Sequence, residues 1–306
     1  MPLLHPEARS FFTQSRDGLN LRGQVAGAGP LRLLLAPGLG TPPVVWRPWV
    51  DGLRGTAQVA TWDMRGCYQS GTPAADRRTV LDHAHDAVAV LDALHWSGQP
   101  VVLGGWSLGV QIALETYRLR DPDVAALVLL CGTFERPLQS ALPIPGASTV
   151  LPRVVRRLSE SGPWLNRGAS AVMRHPLAAK AAQTLKIVDG GDPDYVATVI
   201  AAFGELDLTM VADIIRWAAD HSAADLLPDI AIPTLVVAGD RDVLTPLDRA
   251  AQMHARIPHS KMKVFPGGTH YAVLEHAETV ISDVGRFLRG HLMPGQARHA
   301  PSGDCD

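Results

Sequence analysis

The chain of 306 residues has little cysteine, almost no net charge and no long apolar run, and each shortage removes a class of protein. Its three cysteines (Cys67, Cys131, Cys305) are odd in number and lack metal-ligand spacing, so neither a disulfide framework nor a zinc site is expected and no metal or other cofactor is called for. A reducing cytoplasm is the compartment such usage suggests. Lys+Arg at 28 against Asp+Glu at 30 leaves a net charge of −2, which offers no positive field to a nucleic acid or an anionic membrane. The longest apolar stretch, Val124–Cys131, falls far short of the roughly 20 residues a membrane helix needs. The opening MPLLHPEARS has no apolar signal core, so a soluble, unprocessed protein is expected.

What is present is core-forming material: 46% hydrophobic residues, 19% charged residues and a mean hydropathy of +0.07. Ser10–Arg16 and Leu19–Val25, joined across Asp17-Gly18, predict an antiparallel hairpin. The apolar runs Leu31–Ala36, Ala57–Asp63, Val101–Gly105 and Val124–Leu130 read as buried strands of a mostly parallel sheet. Helical patterns lie between them at Val44–Leu53, at Thr79–His95 with Leu81, Ala84, Val88, Leu91 and Leu94 as its apolar stripe, and at Leu108–Arg118. The alternation then stops. About 95 residues, 133–228, contain no strand pattern but carry helical ones near Val150–Leu158, Pro163–His175, Pro193–Phe203 and Leu208–Ala219. The rhythm resumes with strands at Pro233–Gly239 and Lys261–Phe265 and helices at Pro246–Arg256 and Ala277–Leu288. The expected organisation is an α/β core of residues 1–132 and 229–293, a helical cap inserted at 133–228, and a disordered tail at 294–306.

Gly105-Trp106-Ser107-Leu108-Gly109 fits G-x-S-x-G between a predicted strand and a predicted helix, where a sharp turn would expose the serine hydroxyl at the sheet edge. A serine needs a base and an acid to orient it. Of the twelve histidines, His270 follows a strand directly in PGGTH, at the edge where active groups of open α/β sheets collect. His83, His85 and His95 fall on a helix, and His254, His259 and His276 near helix ends. For the acid, Asp240 and Asp242 follow the strand ending at Gly239. Asp242, deeper in the loop, is preferred, with Asp240 capping the loop or pairing with Arg241, and Glu135 as a further alternative. Backbone N–H groups of Leu108, after the nucleophile, and Leu39, in the Pro37-Gly38-Leu39-Gly40 loop, are the candidate oxyanion donors. Trp164, Met173, Phe203, Met210 and Trp217 in the insertion, with Trp106 in the turn, are the apolar side chains available for substrate binding.

The segments PGLG, DMRG, GGWSLG, GDRD and GGTH occur in the order and context of the α/β-hydrolase superfamily, which the chain resembles over residues 10–290. The resemblance implies the α/β-hydrolase fold and the chain order Ser107, Asp242, His270 for a catalytic triad. It also implies that Asp63 and Arg65 help to shape the site, although Tyr68 stands where glycine is usual and Pro37 where many relatives have histidine. The expected activity is that of a serine carboxylic ester hydrolase acting on a small, hydrophobic molecule. Acyl transfer or cofactor-free perhydrolysis on the same triad is the alternative, and a non-catalytic ligand-binding protein on the same fold is the rival of another class.

Overall fold

The computed structural model describes residues 3–142, 145–160, 171, 175, 177–184 and 188–293. Among the described residues, eight strands form one sheet: β1 (Arg9–Gln14), β2 (Asn20–Ala26), β3 (Leu31–Ala36), β4 (Ala57–Trp62), β5 (Val101–Trp106), β6 (Val124–Leu130), β7 (Thr234–Gly239) and β8 (Ser260–Phe265). Their spatial order is β1-β2-β4-β3-β5-β6-β7-β8, with β1 and β2 antiparallel and β3 to β8 parallel. The chain leaves β3 toward β4 on one side and returns to β5 on the other. That reversal opens a crevice beyond the carboxyl ends of β3 and β5, the usual binding position in sheets of this kind.

The strands are apolar because both faces are covered. Along β5, Val101 and Leu103 face one core cluster while Val102 and Trp106 face the other. On one side pack α1 (Arg47–Leu53) and, at the chain's far end, the long helix Ala277–Leu292; on the other pack α2 (Val80–Ala93) and α3 (Leu108–Arg120). Between β6 and β7 run α4 (Pro137–Ser140), α5 (Ala147–Ser159), α6 (Leu177–Thr184), α7 (Pro193–Phe203) and α8 (Leu208–Ala218). Then come α9 (Leu247–Arg256), α10 (Ala272–Glu275) and α11, the helix Ala277–Leu292. None of the described helices is long and apolar enough to cross a membrane.

Strand positions follow the sequence pattern within a residue or two, and β3 and β6 match it fully. The stripe expected on α2 holds at Ala84, Leu91 and Leu94, which are buried, but not at Leu81, which is 46% exposed, and Val88 is half-buried; Val80, Ala87 and Val90 complete the inward face, with His83 and Asp86 among them. The Thr79–Asp82 capping box starts the helix, and a buried ion pair sets its rotation, since the Arg65 guanidinium reaches inward for Asp86 (Nε to Oδ2, 2.7 Å). Helix α6 was not legible in the pattern. The segment expected to be helical at Pro163–His175 and the tail expected to be disordered at 294–306 lie, but for residues 171 and 175, outside the described residues.

Candidate active site

The turn from β5 into α3 places Ser107 at φ 58° and ψ −121°, a backbone conformation that L-residues avoid unless their surroundings impose it. Two glycines permit it. A Cβ on Gly105 would stand 2.0 Å from the Gly109 carbonyl oxygen, and one on Gly109 would stand 2.3 Å from that of Ala36. The Ser107 N–H donates to the Leu130 carbonyl at 3.0 Å, tying the turn to the end of β6.

Loops from β7 and β8 meet this turn. His270 approaches Ser107 Oγ through Nε2 at 2.9 Å and Asp242 Oδ2 through Nδ1 at 2.9 Å. Both the imidazole and the carboxylate are buried. Asp242 Oδ1 accepts the Leu244 and Thr245 N–H groups, each at 2.8 Å, and Oδ2 accepts the Thr245 hydroxyl at 2.7 Å. The carboxylate is thus held by three donors besides the imidazole. The Trp106 indole N–H donates to the His270 carbonyl at 3.0 Å, with Tyr271 edge-on to both rings. An imidazole between a hydroxyl and a fixed carboxylate can take the hydroxyl proton while the carboxylate stabilises the resulting cation.

The other acids considered are engaged elsewhere. Glu135 accepts the Ser222 hydroxyl at 3.1 Å and faces Arg249, and Asp240 accepts the Gly267 N–H at 2.7 Å. Arg241 pairs with Asp189 at 3.6 Å rather than with Asp240, a correction to the expected pairing. Cys131 sits behind the site at φ 41°. Burial, reinforced by the Asp242 charge, pushes its thiol well up, which keeps it protonated and unreactive. The same two causes, with Glu275, raise the Tyr271 phenol.

Leu108 opens α3, so its N–H is among those with no intrahelical acceptor. The Pro37–Gly40 loop lies against the turn: a Cβ on Gly38 would be 3.0 Å from the Trp106 carbonyl oxygen and 3.3 Å from Ser107 Cβ. Tyr68 braces this loop, its hydroxyl donating to the Gly40 carbonyl at 2.7 Å. It adopts φ 53°, the left-handed conformation that glycine takes most readily, so the departure from the usual residue keeps the backbone shape and adds a tether. Beneath it, Arg65 is wholly buried and engaged by Asp86 and Asp17, while Asp63 accepts the Gln69 N–H at 3.2 Å. Burial outweighs the nearby Arg22 and pushes the Asp63 carboxyl up to about 6.

A cavity of about 290 Å³ opens onto Ser107 and His270. Trp106 and Phe203 line it, as do Leu39 and Leu108. Met210 and Trp217 do not, which corrects the sequence expectation. Met210 turns inward onto Gly66, where an added Cβ would be 2.7 Å from its sulfur, and Trp217 donates its indole N–H to the Ala75 carbonyl at 3.0 Å. Trp164 and Met173 lie outside the described residues. Wall residues that sequence reasoning missed include Gln111, Leu138, Leu151, Ile215, Leu244 and Tyr271. Three carried a signal, since Gln111 lies one helical turn past Ser107, Leu244 two residues past Asp242, and Tyr271 next to His270. The aliphatic residues of the insertion carried none. Among the described residues, no three His, Cys, Asp or Glu side chains converge as metal ligands would.

A family model described as the alpha/beta hydrolase fold matches residues 32–277. Polyketide synthase ThaQ of Burkholderia thailandensis is 29% identical over 90% of this chain, which spans 12% of that protein's length. The 3-oxoadipate enol-lactonase 1 of Acinetobacter baylyi is 24% identical over 92% of this chain and 98% of its own. A thermophilic esterase from Thermogutta terrifontis superposes with a TM-score of 0.68 at 23% identity, covering 92% of this chain and 99% of its own.

Proposed function

The chain belongs to the α/β-hydrolase fold family, a hydrolase by its relatives, and from that premise we propose that it is a serine hydrolase of carboxylic esters acting on a small, largely apolar molecule. The observation that carries this reading is the continuous path from Ser107 Oγ through His270 to Asp242, 2.9 Å at each step, at the floor of a cavity walled mainly by apolar side chains.

In this mechanism Ser107 Oγ attacks the ester carbonyl carbon as His270 Nε2 takes the hydroxyl proton, and Asp242 stabilises the imidazolium. The carbonyl oxygen gains negative charge, which the Leu39 and Leu108 N–H groups receive. The carbon–oxygen bond to the leaving alcohol breaks, the alcohol departs with the proton from His270, and an acyl-Ser107 ester is left. Water then attacks the acyl carbon, giving a proton to His270, and the acid is released as that proton returns to Ser107 Oγ. The insertion at 133–228 supplies Leu138, Leu151, Phe203 and Ile215 to the cavity and so acts as the cap that sizes the substrate.

The test is covalent labelling with a fluorophosphonate. Mass spectrometry should find the adduct on the peptide containing Ser107, and Ser107→Ala should lose both the label and ester turnover. An unlabelled Ser107 in a protein that still hydrolyses esters would reject the mechanism.

A further inference from the structure

Thr41 closes the loop that carries Leu39. Its N–H donates to the Gly38 carbonyl at 3.0 Å, a turn that folds the side chain back over Gly38. A Cβ on Gly38 would stand 2.8 Å from Thr41 Oγ1 and 3.3 Å from Ser107 Cβ, so the hydroxyl and the serine share one face of that glycine, no more than about 6 Å apart. The wall hydroxyls of Thr133 and Thr245 are engaged, the first on the Glu135 carbonyl at 2.9 Å and the second on Asp242 at 2.7 Å. The Thr41 hydroxyl has no hydrogen-bond partner among the described residues. Thr41 lines the cavity and is otherwise buried, and its oxygen is open to that space, unlike the Gln111 amide, whose unpaired Oε1 and Nε2 are both sealed from it.

Resting on the serine-hydrolase reading above, we infer that Thr41 is a further catalytic residue, its hydroxyl donating a third hydrogen bond to the oxyanion that the Leu39 and Leu108 N–H groups receive. That oxygen stands three bonds beyond Ser107 Cβ, about 3 Å from it, and the remaining span matches the separation of about 2.7 Å that an O–H···O bond requires. The hydroxyl keeps its proton throughout, so the order of bond changes is unaltered. Held ready in a largely apolar cavity, it needs no reorganisation as charge develops. Its bond strengthens most when the oxygen is fully charged, so it lowers the barrier more than it tightens the ground state. The loop that Tyr68 braces at Gly40 thus presents two donors, the Leu39 backbone on one side of that glycine and the Thr41 side chain on the other.

Thr41→Val, which replaces the hydroxyl by a methyl group of similar size, should lower kcat by about 10-fold or more on p-nitrophenyl butyrate, with KM little changed. The melting transition should be retained, because the hydroxyl bonds nothing in the described protein. Thr41→Ala should repeat the loss, and Thr41→Ser, which keeps the hydroxyl, should recover most of it. A trifluoromethyl ketone, whose adduct with Ser107 carries the same oxyanion, should bind Thr41→Val more weakly by about the same factor. Wild-type kcat and ketone affinity in Thr41→Val and Thr41→Ala would overturn the assignment of Thr41 and leave the hydrolase reading intact, as would a Thr41→Ser protein as slow as Thr41→Val. Absence of Ser107-dependent ester turnover in the wild-type protein would reject the hydrolase reading and this inference with it.

Discussion

The sheet edge and the helical segment 133–228 build one cavity by opposite means. At the sheet edge, backbone lies against backbone: the Ser107 turn is wedged between Gly105, Gly109 and the end of β3, and Asp242 is held by three donors from its own loop besides His270. The helical segment contributes aliphatic side chains and Phe203, whose contacts with a ligand would be dispersive and non-directional. The contrast teaches where errors are tolerated. A shift of a few tenths of an ångström at the edge weakens a directional hydrogen bond, whereas the same shift in the helical wall only changes cavity volume. Edits to the edge should therefore depress all substrates together, and edits to the wall should change their order.

The sharpest break is Ser107→Ala, which should reduce kcat/KM by roughly 10⁴-fold or more on every ester tried, with the melting transition retained. A loss confined to some esters would mean that the edge and the wall do not divide the work as described. Next comes Tyr68→Phe, which removes the hydroxyl donated to Gly40 and so loosens the loop bearing Leu39. Deleting a whole oxyanion donor costs about 10²–10³ in rate, and loosening one should cost about 10-fold in kcat with KM little changed. An unaltered kcat would show that the Pro37–Gly40 loop holds itself in place.

On the other side of the contrast, Phe203→Ala should leave short-chain esters within about 3-fold of wild type and move the optimum toward longer chains, at a cost near 1–2 kcal/mol for a half-buried ring. A uniform fall across all chain lengths would place Phe203 with the edge groups instead. The smallest effect on catalysis lies behind the sheet edge, on α2, where the readout is stability. His83 is buried with neither ring nitrogen partnered, and burial, aided by Arg65, lowers its pKa from 6.5 to about 3. The unfolded chain then binds a proton that the folded chain refuses. Stability contributed by this group is complete above pH 6.5 and is lost toward pH 3, with a slope of at most about 1.4 kcal/mol per pH unit. Thermal unfolding of His83→Leu should show a shallower decline across that window, and an unchanged decline would assign acid sensitivity to other groups.

The parts of this molecule legible in the sequence were those governed by short-range rules. β3 and β6 are unbroken apolar runs because both faces are covered, and the Ser107 turn announces itself by glycines where backbone crowds backbone. His270 and Asp242 could be picked out because each follows the carboxyl end of a strand. Leu81 was misjudged on α2 because Arg65, 21 residues before Asp86, rotates a polar residue inward, a demand the helix's own periodicity does not contain. Met210 was offered to the cavity as an apolar side chain of the insertion and lies instead on Gly66.

Local sequence therefore determined the strands, the turn and the order in which the candidate reactive groups come along the chain. Tertiary structure alone decided that loops ending three different strands meet within 2.9 Å hydrogen bonds, because strand order in a sheet is a long-range property. It also decided which apolar residues face the cavity. An amphipathic helix records that one face is buried but not against what, so Leu151 and Ile215 in the wall and Met210 in the core carry the same local pattern. Gln111 shows that limit most plainly: its position one turn past the serine could be read from the chain, but its unpaired amide could be recognised only once the walls around it had closed.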